Sequence, residues 1–254
     1  MQSNFNKKSN KKGKKSTTNA IIKNKFPGTS SKLFIQAKQS NILKYFFYAC
    51  TIITLIVTIL SIDLFANGVL SMVDAEVYSS IAFSLFLPSI VFAYLARKHN
   101  FSQILNELGL SKNHISVKFF VYGILLFLII LMLEIGLSLF SYITGIPLPT
   151  NVGKILSGMP LYFLIFSVFI APLNEEIAFR GFLVNRIGIV ASALIFAILH
   201  AGYSSIVEGL GAFIFGLLAG YVFKKTKSLY PSLIAHIIVN LLAVIALFVL
   251  MGII

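Results

Sequence analysis

The sequence of 254 residues contains no tryptophan, one cysteine (Cys50) and only eight acidic residues. A single cysteine excludes an intramolecular disulfide framework and a thiolate metal cage. Charge of either sign is scarce: Asp, Glu, Lys and Arg together make up 11% of the chain, against about 25% in soluble domains. What fills the gap is apolar, with 57% hydrophobic residues, including 24 Phe and 10 Tyr. A water-soluble globular fold is therefore disfavoured. The length accommodates several membrane spans of about 20 residues each. The net charge of +13 has the sign of a nucleic-acid binder, but 11 of the 21 basic residues are lysines between Lys7 and Lys44, a stretch with no acid. The remainder is nearly neutral, so nucleic acid is not an expected partner. The composition predicts an all-α, polytopic membrane bundle.

Residues 1–44 are rich in Lys, Asn, Ser and Thr and are broken by Pro27-Gly28. They are expected to form a basic, disordered cytoplasmic tail, with adhesion to anionic lipid as the sharper option. Seven apolar runs follow: Tyr45 to Phe65, Val77 to Leu95, Phe119 to Ile143, Leu161 to about Leu183, Ile187 to about Tyr203, Ile206 to Phe223 and Leu229 to Ile254. An eighth span arises only if Phe119–Ile143 or a flanking segment divides differently. Residues 45–155 read as N-terminal transmembrane helices and 156–254 as a separate core. With the N-terminus inside, 19 of the 20 cations outside spans fall on one side and only Lys154 on the other. That asymmetry predicts a multi-pass protein of the cell membrane with a cytoplasmic N-terminus. Residues 102–110 predict a short interfacial helix. Ala212, Gly216 and Gly220 recur at intervals of four, a face for close helix packing.

Ionisable groups inside a span cost about 2.5–3.5 kcal/mol each on insertion scales, so those in the C-terminal half require a reason. In Asn174-Glu175-Glu176-Ile177-Ala178-Phe179-Arg180-Gly181, Glu176 and Arg180 are i,i+4 neighbours that neutralise each other. Glu175, about 100° around the helix, remains an unpaired carboxylate suited to a general base. Phe196-Ala197-Ile198-Leu199-His200 ends in a histidine, and His236-Ile237-Ile238-Val239-Asn240 places an imidazole and an amide on one face. Alone, each cluster reads equally well as a solvated helix end, a packed histidine or hydrogen-bonding glue between helices. Depth joins them. At 1.5 Å per residue, Glu175, His200, His236 and Asn240 all lie roughly 14–21 Å from the inner turns, within one layer of a core about 30 Å thick.

In that order on successive helices, EEIAFRG, FAILH and HIIVN resemble the three motifs of the CAAX-protease and bacteriocin-processing (CPBP, or Abi) membrane endopeptidases, and the likeness covers about residues 160–250. The resemblance implies peptide-bond hydrolysis within the membrane, with access from the cytoplasmic side. By analogy Glu175 and His200 activate a water, His236 and Asn240 donate to the oxyanion, and Glu176, Arg180 and Phe196 support them. A Glu with two His is also a three-ligand zinc set, so Zn held by Glu175, His200 and His236 is the alternative. The absence of a His-Glu-x-x-His helix and the presence of Asn240 beside His236 favour a glutamic, metal-free mechanism. The implied partners are the bilayer and a peptide or protein substrate, in CAAX-type processing or in bacteriocin immunity. A non-catalytic immunity or regulatory protein that binds a peptide or a sensor kinase is the rival. A transporter is disfavoured, because no inverted repeat or broken-helix pair is visible.

Overall fold

The computed structural model describes residues 29–145, 152–200 and 206–250, and among these every regular element is helical. In chain order they are α1 (Thr29–Ala66), α2 (Met72–Leu95), α3 (Phe101–Glu107), a 3₁₀ turn (Lys112–His114), α4 (Val117–Thr144) and α5 (Val152–Ser157). α6 (Leu161–Ile187), α7 (Ile189–His200), α8 (Ile206–Thr226) and α9 (Tyr230–Leu250) complete the bundle. Six of these, α1, α2, α4, α6, α8 and α9, are long and apolar enough to cross a membrane. Their outward faces carry large apolar side chains, such as Ile52, Ile56, Leu125, Met132 and Phe169, as lipid contact requires. The protein is a multi-pass helical membrane protein.

Two boundaries differ from the sequence-based expectation. α1 begins at Thr29, directly after Pro27-Gly28, so residues 29–44 continue the first span as helix. Lys, Gln, Leu and Ala in this segment are good helix formers and Pro sets the stop; residues 1–28 lie outside the described residues. The run from Ile187 to Tyr203 yields α7, of 12 residues, because Gly188 at φ +87° breaks the chain from α6. Its length of about 18 Å falls well short of a hydrocarbon core of about 30 Å. Residues 201–203 lie outside the described residues.

Short polar signals set the helix ends. Ser71 caps α2 by accepting from the Asp74 N–H, and Asn100 and Gln103 form a reciprocal capping box on α3, which satisfies donors that a helix start leaves orphaned. On α1, Thr51, Thr54, Thr58 and Ser61 each donate to a carbonyl four residues back, so their hydroxyls cost little in lipid. α1 packs on α2, α2 on α6, α6 on α9 and α9 on α4. α7 lies antiparallel on α8 through the small-residue face: a Cβ at Gly216 would sit 2.8 Å from Ala193 and one at Gly220 2.9 Å from Ile189.

The segments holding Arg97, Lys112, Arg186 and Lys224–Lys227 gather at one end of the bundle, the basic end. This end is sealed. Gly109, at φ +74°, lies so close to the α8–α9 turn that a Cβ would sit 2.7 Å from the Lys227 carbonyl. The Leu229 N–H donates to the Gly109 carbonyl at 3.1 Å, Ser228 Oγ to the His114 carbonyl and Tyr230 Oη to the Leu110 carbonyl. Beneath them Ile104, Leu108 and Leu229 are fully buried, with Phe223 nearly so.

Candidate active site

The acidic motif sits where α6 changes its winding. From Ile177 to Leu183 the helix is a π-helix, a form rare enough to mark functional positions. Ser192 Oγ of α7 donates to the Phe179 carbonyl at 2.9 Å, anchoring this segment. Glu176 and Arg180 are almost wholly buried and paired, with Arg180 Nη1 3.0 Å from Glu176 Oε1. Neither Nη atom finds an aligned hydrogen-bond acceptor among the described residues. Instead the guanidinium lies between two aromatic rings, 4.2 Å from the centroid of Phe196 and 4.9 Å from that of Phe215. Cation–π attraction in a desolvated setting is worth about 2 kcal/mol or more, which offsets part of the burial cost of that charge.

His236 joins both glutamates. Its Nδ1 is 3.0 Å from Glu176 Oε1, and its Nε2 is 3.7 Å from Glu175 Oε2. The carboxylate of Glu176 thereby fixes the ring and turns Nε2 toward Glu175, as a supporting partner does for a catalytic imidazole. His200, at the last residue of α7, has Nδ1 2.9 Å from the Phe196 carbonyl, and its ring is 4.3 Å from that of Phe196. Phe196 also meets Phe179 edge-on at 5.0 Å and His236 at 6.1 Å. One phenyl ring thus contacts all three motifs.

Asn240 stands one turn beyond His236, and its Nδ2 donates to the Ser167 carbonyl of α6 at 2.9 Å. This bond uses one of its two N–H groups. A cavity of about 300 Å³ between α2 and α6 is lined by Glu76 of α2, Phe163, Ser167 and Glu175 of α6, and His200 of α7. At about 30 Å³ per water, it has the capacity of roughly ten waters. Glu175 and His200 share this cavity, whereas Glu176 and Arg180 lie behind its wall.

Residues 157–242 match the family model of the type II CAAX prenyl endopeptidases, Rce1-like. The matched segment contains every one of these motif residues. Residues 157–242 are thus similar to that family over about a third of the chain. No curated protein and no solved structure matches the chain. The family matched is one of CAAX prenyl endopeptidases, the same likeness that the three motifs carry. The structure brings Glu175, Glu176, Arg180, Phe196, His200 and His236 of this segment together, and links Asn240 to the same cavity through Ser167. Among the described residues no three His, Cys, Asp or Glu side chains are grouped as a metal site.

Several residues of the candidate site carry no motif in the sequence. Phe215 shares the Arg180 sandwich and lies 4.8 Å from His236, yet in sequence it is one apolar residue of α8 among many. Asn174 Nδ2 donates to Ser84 Oγ of α2 at 3.0 Å, a buried tie between the motif helix and the N-terminal half.

Proposed function

We propose that the chain is a metal-independent intramembrane endopeptidase of glutamic type, acting on a membrane-associated peptide or protein. The observation that carries this reading is the cavity that Glu175 and His200 both line, backed by the Rce1-like match over 157–242. Glu175 takes a proton from a water, assisted by His200, and the hydroxide oxygen attacks the peptide carbonyl carbon. His236, donating from Nε2 when the ring carries both protons, and the second N–H of Asn240 receive the oxyanion. The proton held by Glu175 passes to the departing amine as the C–N bond breaks. Glu176, Arg180 and Phe196 position His236 and the motif helix without touching substrate. The biological setting we favour is peptide processing or bacteriocin self-immunity at the cell membrane, with the N-terminus cytoplasmic.

Purified protein in liposomes, given a mixture of apolar peptides with products read by mass spectrometry, tests this. Glu175→Gln and His200→Ala should each slow cleavage by about 10²–10⁴-fold with unfolding temperature unchanged, and EDTA should leave the rate of the native protein unaltered. Immunity or signalling that survives in Glu175→Ala, His200→Ala and His236→Ala alike, in stably expressed protein, would point to a non-catalytic peptide-binding role.

A further inference from the structure

The hydrolytic scheme supplies a base and oxyanion donors, yet no group that holds the main chain of the peptide. A residue fitted to that task stands on α2, outside the segment matched to the family. Ser84 lies midway along α2 and Asn174 midway along α6. They are 7% and 6% exposed, and Asn174 Nδ2 donates to Ser84 Oγ at 3.0 Å. A hydroxyl has one proton to give and two lone pairs to receive with. The bond from Asn174 occupies a lone pair and leaves the proton. Other serines in these spans spend that proton on their own helix: Ser61 and Ser89 each donate to the carbonyl four residues back at 2.8 Å. Ser84 makes no such bond among the described residues. It borders the cavity that Glu175 and His200 line, and Asn174 directly precedes Glu175 in α6. The proton of Ser84 is thus left for whatever occupies the cavity, at the level of the general base.

We infer that Ser84 is a substrate-binding residue of this site, donating its hydroxyl proton to a main-chain carbonyl of the bound peptide away from the scissile bond. Asn174 is the positioning residue that aims it. A peptide carbonyl taken out of water needs such a donor, because leaving it unbonded is costly. The chain from amide to hydroxyl to carbonyl also polarises each bond in turn. On this account α2 completes the site, and residues 157–242 alone do not. The inference rests on the hydrolytic reading for its substrate, but its main test needs no turnover.

Full-length protein carrying Glu175→Gln, in nanodiscs, is titrated with a dansyl-labelled apolar hexapeptide amide of Leu, Phe and Val. Adding Ser84→Ala should weaken binding about three- to tenfold, the effect of one neutral hydrogen bond, with unfolding temperature unchanged. Asn174→Ala should weaken it by a similar factor, and the double variant no further than Ser84→Ala alone, since one acts through the other. Sulfur is then put in place of each carbonyl oxygen of the peptide in turn, making it a poorer acceptor. At one position this should weaken binding, and Ser84→Ala should abolish that sensitivity. A sensitive position that persists in Ser84→Ala, or binding indifferent to Ser84→Ala, overturns the contact. Additive losses in the double variant overturn the role of Asn174. With Glu175 intact, Ser84→Ala should raise KM for the same peptide more than it lowers kcat. If binding follows these expectations and the native protein cleaves nothing, the hydrolytic reading alone has failed. If cleavage occurs and Ser84→Ala has no effect on KM, the present inference alone has failed. A peptide that does not bind at all defeats both.

Discussion

Glu175 and Glu176 are sequence neighbours that belong to different halves of the molecule. Glu176 is fully buried and held by Arg180 and His236, whereas Glu175 is 22% exposed and lines a cavity. The same contrast holds for the whole core. Toward the basic end, side chains from α2, α3, α6, α8 and α9 close on one another in a buried cluster. Toward the other end, the faces of α2 and α6 stand apart around some 300 Å³. A membrane bundle gains little from burying apolar side chains that lipid would cover equally well, so packing here has a specific purpose. The closed half holds the charges in register, and the open half leaves one of them accessible.

Substitutions that disturb each half in turn measure how far apart they are. The largest loss should follow Arg180→Ala, which strands Glu176 and costs about 3–5 kcal/mol; thermal unfolding in detergent reads it directly. Leu108→Ala comes next at about 2–4 kcal/mol, since Leu108 is fully buried against Gly181 at the basic end. Phe83→Ala, in the open half and 40% exposed, should cost about 1 kcal/mol or less, because no tight cavity wall collapses there. A loss equal to that of Leu108→Ala would show that the open half also bears the fold. The smallest effect belongs to Glu107→Gln. It breaks partly exposed pairs with Arg186 at 2.7 Å and His99 at 3.3 Å, worth about 0–1 kcal/mol in total and weakened further by salt.

The closed half was largely legible before any coordinates. Apolar run length gives five of the long spans to within a few residues, and the basic residues assign the ends. The i,i+4 spacing of Glu176 and Arg180, and the shared depth of His200, His236 and Asn240, follow from helical geometry alone. The open half was not legible. A cavity is a gap between helices, and no local pattern in the sequence records how far α2 stands from α6. Phe215 escaped notice for a related reason: a ring that stacks on a guanidinium and one that faces lipid are the same letter. The truncation of α7 depends on Gly188 adopting a positive φ, which a glycine permits without requiring. Access from the cytoplasmic side was implied by family likeness and not by any residue.

The π-helical stretch from Ile177 to Leu183 has a consequence for how such a site arises and how it is lost. A π-segment is an α-helix carrying one surplus residue. Removing a single codon between these positions restores regular winding and shifts the register of everything upstream by about 100° relative to everything downstream. Glu175 and Arg180 could then no longer both keep their present neighbours, although each residue and its hydropathy would survive. The two halves of this core are thus separated by an indel of one, a change to which a count of apolar residues is blind.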